Sequence, residues 1–145
     1  MKISTKGRYA LRMMLDLAEH QGDGYVALKD IARRQGISKK YLEQIVPVLN
    51  RAEYLLTSRG FAGGYRLAKT PDKYSAYDIL KLTEGSLCPV ACLEQGAAPC
   101  ERSCTCPTLI LWKGLDRAIY EYLAGVTLQD LIEQSRAQYG NDYMI

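Results

Sequence analysis

The chain has 145 residues, of which 48% are hydrophobic, and its formal net charge is +3. This length and composition are typical of one compact core, or of a small domain with an element that docks on a partner subunit, and not of a disordered protein. No segment approaches the length of a membrane span, and the N-terminus MKISTKGRYALRMM lacks the apolar core of a secretory signal. We therefore expect a cytoplasmic protein with no membrane partner.

The charge is distributed unevenly along the chain. Residues 1–70 carry 13 Lys and Arg against 6 Asp and Glu, a net +7, whereas residues 71–145 carry 6 against 10, a net −4. A basic N-terminal half is typical of a surface that binds phosphates. The same asymmetry is also found where surface charge serves only to keep the protein soluble. Charge alone therefore leaves DNA binding open.

Three short amphipathic helices are predicted within the first 51 residues. The first begins behind a cap at Ser4 or Thr5, and the second and third are separated by a tight turn at Gly36 and a cap at Ser38. Their apolar positions at helical spacing are Leu11, Met14, Leu15 and Ala18, then Leu28, Ile31 and Ala32, then Leu42, Ile45, Val46 and Leu49. The second and third helices form a helix-turn-helix pattern.

A β-hairpin is predicted directly after the helix-turn-helix. Leu55 and Thr57 lead into it, Tyr65 and Leu67 lead out, and a glycine-rich loop joins the two flanks. In this position the hairpin is a wing. A fourth short helix, SAYDILKLTEG, follows and ends at Gly85.

A long apolar helix is predicted from Pro107 to Gly125. Its wide apolar stripe contains Leu109, Trp112, Leu115, Ile119, Tyr122 and Leu123. Such a helix packs either on its own domain or on a second copy of the chain, and the two-fold symmetry of DNA sites favours the second copy. A last helix begins behind Thr127.

The predicted fold is mainly α with a small β-hairpin wing: a winged helix-turn-helix plus a long dimerisation helix. We expect residues 1–85 to form the DNA-binding domain, residues 86–106 a cysteine-rich effector loop, and residues 107–145 the dimerisation and C-terminal helices. The candidate DNA-binding residues are Lys39, Lys40, Tyr41, Glu43 and Gln44 on the third helix and Arg59 at the wing.

The chemistry of these side chains suits DNA. Lysines meet phosphate or guanine, Gln44 can bond adenine, Glu43 can accept from cytosine, and Arg59 can reach into the minor groove. Taken singly, KKYLEQ also fits an ordinary solvated helix face, and the wing loop a flexible hairpin tip. The order of basic half, helix pair and wing favours DNA reading over these alternatives.

All five cysteines lie between Cys88 and Cys106. Cytoplasmic thiols are kept reduced, so the cluster indicates metal binding or redox chemistry rather than a disulfide framework. An iron-sulfur cluster, a structural zinc site and a metal-free thiol switch are the alternatives, and the usual C-x2-C of zinc sites is absent. The single histidine, His20, is expected to be a surface or capping residue.

Several motifs resemble the Rrf-two family of bacterial winged helix-turn-helix transcriptional regulators, of the IscR, NsrR and CymR types. These motifs are KISTKGRYAL, YLEQ, RGFAGGY, TLQDL and the CPTLILW junction, and together they span nearly the whole chain. The resemblance implies a homodimer on operator DNA, and it matches Glu43 and Arg59 to sequence-reading positions. The implied dimer interface on the long helix contains Leu109, Trp112, Leu115, Ile119 and Leu123.

The resemblance also implies a cysteine ligand set. Cluster-binding members carry three cysteines before the long helix, which match Cys92, Cys100 and Cys106. The fourth ligand is unassigned, because Leu109 stands where IscR-like members have histidine and Arg8 where NsrR-like members have an acid. Cys88 and Cys104 remain as candidates for this fourth position.

The resulting prediction is a dimeric, sequence-specific DNA-binding regulator, a repressor, controlled by an iron-sulfur cluster of unassigned type. There are two alternatives. One is a CymR-like repressor that uses its thiols without a cluster, and the C-terminal tail YMI also resembles that of CymR. The other is a zinc-stabilised regulator. An enzyme is not expected, since the cysteines have no redox C-x-x-C, nucleotide-binding loop or catalytic histidine beside them. A winged helix that contacts protein is a further class, which salt-dependent DNA binding would exclude.

Overall fold

The computed structural model describes residues 1–142, so the tail YMI lies outside the described residues. It contains six α-helices and one antiparallel hairpin: α1 Thr5–His20, α2 Leu28–Gln35, α3 Lys39–Arg51, β1 Leu55–Ser58, β2 Gly64–Leu67, α4 Ala76–Glu84, α5 Leu109–Ala124 and α6 Leu128–Asp142. The predicted mainly α fold with a small wing is confirmed. Within the described part of the chain, no helix is long and apolar enough to cross a bilayer.

Local capping sets the starts of α1 and α3 and the end of α2. Ser4 Oγ accepts from the amide of Gly7 at 3.1 Å, and Ser38 Oγ accepts from the amide of Tyr41 at the same distance. Gly36 ends α2 in the left-handed conformation at φ +63°, which a residue with a Cβ rarely adopts. The helix, turn and helix therefore occur where the sequence predicts them.

The core of the domain lies between α1, α2, α3, α4 and the wing. Every predicted apolar position of α3 is buried, as Leu42, Ile45, Val46 and Leu49. On α1, however, the predicted face was only partly right, because Leu11, Leu15 and Ala18 are half-buried at its flank. The fully buried stripe of α1 consists of Ala10, Met13, Met14 and Leu17.

The last helix returns to this core. The amide of Leu128 donates to the carbonyl of Tyr74 at 2.9 Å, and Ala76 donates to Val126 at 2.7 Å. The Leu128 side chain is completely buried in this same core. The start of α6 therefore fixes the far end of α5 to the domain that carries α3.

The wing contains more than the two predicted strands. Leu55 pairs with Leu67 and Ser58 with Gly64, and Tyr65 also exchanges two backbone hydrogen bonds of 2.8 and 2.9 Å with Val26. A Cβ on Gly64 would lie 2.2 Å from the carbonyl oxygen of Val26. The segment before α2 thus anchors the wing, and only glycine permits this close approach.

Helix α5 contrasts with the rest of the molecule because none of its residues is buried. It leans on α4, where the rings of Tyr77 and Tyr120 meet edge to face at 4.8 Å. Its outward side presents large apolar side chains to solvent: Ile110, Leu111, Leu115 and Tyr122.

Candidate nucleic-acid interface and cysteine cavity

The solvent face of α3 carries four of the predicted reading residues. Lys39, Lys40, Glu43 and Gln44 are exposed, opposite the four buried apolar positions of the same helix. Tyr41 differs from them: it is half-buried, and its ring packs edge to face on Tyr9 with centroids 5.3 Å apart. The ring of Tyr41 therefore helps to seat α3 on α1, and its role at DNA stays a prediction.

A buried ionic cluster holds α1 against α2, and sequence reasoning missed it. Asp16 is 1% exposed, and Arg34 donates to its two carboxylate oxygens at 2.7 and 3.0 Å. The Gln35 amide adds a third bond at 2.9 Å. The hydrogen bond to Asp16 raises the pKa of Arg34 above its usual value. The sequence contained one indication of this cluster, because an acidic residue stands between Met13 and Leu17 on the side of α1 that faces the core.

The cluster lies directly before the helix-turn-helix turn. Arg34 and Gln35 are the last two residues of α2 before the turn at Gly36. Their bonds to Asp16 therefore hold the C-terminal end of α2 in place, and with it the turn that leads into α3. His20, the only histidine, is exposed, and its Nδ1 lies 3.0 Å from the carbonyl oxygen of Asp16. This agrees with the expected surface or capping role.

The tip of the wing presents one cation and one aromatic ring. Arg59 is exposed, as predicted, and Phe61 beside it is fully exposed. A backbone hydrogen bond of 3.0 Å from Gly63 to Gly60 closes the turn around Phe61. Phe61 was not among the predicted site residues, although it stands out in the sequence as a lone phenylalanine among the glycines of RGFAGGY.

The cysteine-rich loop, residues 86–106, and the start of α5 line a largely apolar, open cavity of about 270 Å³. Three of the five cysteines line it: Cys92, Cys100 and Cys106. The walls are completed mainly by apolar side chains, including Leu109 and Trp112 from α5. The three cysteines that the resemblance selected therefore share one cavity.

The other two cysteines lie elsewhere. Cys88 lines a second, polar cavity of about 200 Å³ with Lys81 and Asp116, and its thiol donates to the carbonyl of Val90 at 3.2 Å. Burial, with a smaller effect of Asp116, raises the pKa of the Cys88 thiol. Cys104 is exposed and lines neither cavity.

Cys106 has the opposite environment to Cys88. Its sulfur lies 3.4 Å from the hydroxyl oxygen of Thr108, and hydrogen bonds from that side chain and from the backbone of Thr108 lower the pKa of the Cys106 thiol. The cysteine next to α5 is thereby the more easily ionised of these two. A thiolate is the form that binds metals and attacks electrophiles.

The fit of the cysteine cavity to an iron-sulfur cluster is good in donor type and surroundings. Thiolates are the preferred ligands of such clusters, and apolar walls shield them from water. Among the described residues that line the cavity, no further thiol, imidazole or carboxylate accompanies the three cysteines; Ser103 and Lys113 are the polar groups. Within residues 1–142, no three such side chains are close enough together to hold a single metal ion. The three thiols as they lie therefore form no site for a single ion such as zinc.

The five residues predicted for the dimer interface do not share one environment. Leu109 and Trp112 line the cysteine cavity, Ile119 lines the polar cavity, and Leu123 is half-buried. Only Leu115 is exposed, at 41%. The contact with a second copy stays a prediction.

A helix-turn-helix with an exposed polar face, followed by a hairpin wing, defines the winged-helix class of DNA-binding folds. The sequence profile of the Rrf2 family, described as "Iron-dependent Transcriptional regulator", matches residues 3–134. The chain belongs to this Rrf2 (Rrf-two) family, as its motifs predicted.

Relatives of two kinds are similar to the chain at comparable levels. The HTH-type transcriptional regulator CymR of Bacillus subtilis is 42% identical over 131 residues, covering 90% of this chain and 89% of the relative. IscR of Aliivibrio salmonicida is 37% identical over 142 residues, covering 98% and 83%. The solved structure of CymR, the global cysteine regulator of B. subtilis, matches 92% of this chain and 98% of its own with a TM-score of 0.75 at 39% identity.

Proposed function

We propose that the chain is a dimeric, sequence-specific transcriptional repressor of the cytoplasm, whose affinity for its operator is set by an iron-sulfur cluster held by Cys92, Cys100 and Cys106. The observation that carries the proposal is the shared apolar cavity of these three thiols against the start of α5. Cys88 lines the polar cavity and Cys104 is exposed, so both thiols lie outside the shared apolar cavity.

DNA recognition is assigned to the exposed side of α3 and to the wing. Lys39 and Lys40 at the start of α3 attract phosphate, while Glu43 and Gln44 one turn later reach base edges in the major groove. Arg59 reaches the adjacent minor groove, and Tyr41 supports α3 through Tyr9. None of these four exposed side chains of α3 is required by the core, so their types are free to serve recognition.

The homodimer is assigned to the outward side of α5. Ile110 and Leu111 are 83% and 60% exposed, and Leu115 and Tyr122 continue the same apolar surface. Gly114 lies in the middle of this surface with no atom within 4 Å of a Cβ built on it, although glycine weakens a helix by about 1 kcal/mol relative to alanine. A second copy of α5 that crosses closely at Gly114 accounts for both features.

The position of the cysteine cavity supports coupling between cluster binding and DNA binding. Its walls belong to the loop after α4 and to α5, and α5 touches α4 through Tyr77 and Tyr120. When bound, the cluster would supply iron bonds to sulfur that form or break with redox state and iron supply. Binding of a cluster would draw the cysteine-rich loop toward α5 and change how α5 packs on α4. This change would alter the spacing of the two α3 helices in a dimer.

The decisive experiment is anaerobic purification followed by a visible absorption spectrum and iron, sulfide and zinc assays. We expect iron and sulfide with visible absorption, lost when Cys92, Cys100 or Cys106 is changed to alanine. Cys88→Ala and Cys104→Ala test the fourth ligand position: the variant that also loses iron identifies the fourth ligand, and the other should keep its iron. A protein that binds zinc but no iron would contradict the proposal, as would iron binding that survives all three cavity substitutions.

A metal-free thiol switch is the second candidate. It is favoured by the similarity to CymR and by the exposure of Cys100 and Cys104 in one short loop. On this alternative the purified protein is colourless and free of iron and zinc, and oxidation changes its affinity for DNA through a reversible disulfide. The same spectrum and metal assays separate the two candidates.

DNA binding itself is tested by selecting duplexes from a randomised library and measuring affinity against salt. We expect a steep fall of affinity as salt rises, because phosphate contacts release counterions. Glu43→Ala should relax the selected sequence, whereas Lys39→Ala should weaken binding to all sequences and reduce the salt slope. Selection of no sequence, or affinity independent of salt, would refute the DNA-binding function.

A further inference from the structure

Phe61 is the only phenylalanine of the chain, and it is the most exposed large apolar side chain of the described residues. It is fully exposed, whereas Leu56 on the same hairpin is 47% exposed. A ring in this position contributes nothing to the core and gives up the free energy that burial would supply. Single exposed apolar side chains are common on protein surfaces, so what distinguishes this one is its place at the tip of the wing beside the exposed Arg59.

The wing holds this ring in a defined place. The amide of Gly63 donates to the carbonyl of Gly60 at 3.0 Å, which closes a tight turn with Phe61 inside it. Gly60 has φ +105°, and a Cβ on Gly63 would lie 2.4 Å from the carbonyl oxygen of Ser58. Because the glycines are required by the turn, the tip is narrow as well as fixed.

The neighbours of Phe61 favour DNA over a protein partner. Arg59 is exposed two residues away, and it brings a cation to the same tip. Gly60, Ala62 and Gly63 add no apolar bulk, so the ring forms no contiguous patch of the size that protein interfaces use. The B-DNA minor groove is about 6 Å wide and attracts arginine, and apolar side chains enter it beside such cations.

We propose that Phe61 enters the minor groove of operator DNA beside Arg59 and packs against the deoxyribose walls of the groove. This rests on the proposed DNA-binding function and deepens it. Arg59 supplies the electrostatic attraction, and Phe61 supplies an apolar contact that depends on groove width. The wing then senses the shape of the flanking DNA in addition to the bases that α3 reads.

The test compares Phe61→Ala with the matched control Leu56→Ala, whose side chain is also exposed on the hairpin but lies in strand β1. The probe is a 30-bp duplex that the wild-type protein selects from a randomised library, with binding followed by fluorescence anisotropy. Phe61→Ala should weaken binding roughly tenfold, which corresponds to about 1.4 kcal/mol. Its salt slope should be unchanged because no charge is removed. Leu56→Ala should bind as wild type does, and Phe61→Tyr should largely restore affinity.

A second duplex identifies the groove. Inosine·cytosine pairs in the flank keep the minor-groove face of A·T pairs but change the major-groove face. The affinity ratio of wild type to Phe61→Ala should persist on this duplex. Equal affinity of the two proteins for the selected duplex, or loss of their difference on the substituted duplex, would overturn the inference. Failure of the wild type to select any duplex would instead refute the proposed function itself.

Discussion

Replacing Asp16 by asparagine removes the charge from the buried cluster that holds α2 against α1. The carboxylate accepts three hydrogen bonds of 2.7 to 3.0 Å, two from Arg34 and one from Gln35. An asparagine of the same shape turns an amide NH₂ toward these donors, so at least one bond is lost and Arg34 keeps a partly uncompensated charge. The substitution should therefore destabilise the fold.

The magnitude depends on how far Arg34 can recover water. Breaking one partner of a fully buried pair costs about 3–5 kcal/mol, and each charged hydrogen bond contributes about 1.5–3 kcal/mol. The side chain of Asp16 is completely buried, but that of Arg34 is 27% exposed and can turn partly to solvent. We therefore expect a loss of about 2–3 kcal/mol, or roughly 5–10 °C in Tm for a chain of this size.

The assay is urea denaturation followed by circular dichroism, with Asp30→Asn as the control. Asp30 is half-buried and pairs at 3.5 Å with the exposed Arg33 three residues on, and helix pairs of this kind contribute less than about 0.5 kcal/mol. Equal stability of the two variants, or a loss below about 1 kcal/mol for Asp16→Asn, would refute the reasoning. The result would mean that Arg34 and Gln35 find other partners without loss.

Three further predictions concern the wing, the dimer and the cysteines. Gly64→Ala should cost more than about 2 kcal/mol and weaken DNA binding, because the added Cβ would lie 2.2 Å from a backbone oxygen; unchanged melting would disprove this. Gly114→Leu should convert the proposed homodimer to monomer in sedimentation, while Gly140→Leu, at an equally open helical glycine, should not. Thr108→Val should raise the lowered pKa of Cys106, so its alkylation in metal-free protein should slow near neutral pH.

Local structure was predictable because its causes lie close together in the chain. Ser4, Ser38 and Gly36 mark helix ends through contacts within four residues, and the 3.6-residue period of α3 identified every buried position. The choice of three cysteines came from motif order, and all three line one cavity. On α1 the period indicated a helix correctly, but two adjacent stripes were apolar, and only packing decided that Met13 and Leu17 face the core.

By itself, the sequence determined the family, the winged-helix fold, the exposed polar side of α3 and the thiols next to α5. Tertiary structure alone decided which side of α5 faces which surroundings: Leu109 and Trp112 line the cavity, whereas Ile110 and Leu111 remain exposed. It also decided the pairing of Asp16 with Arg34, 18 residues away. The physical reason is that a helix with apolar residues around most of its surface fits several packings. Contacts between distant segments select one of them, and periodicity carries no information about those contacts.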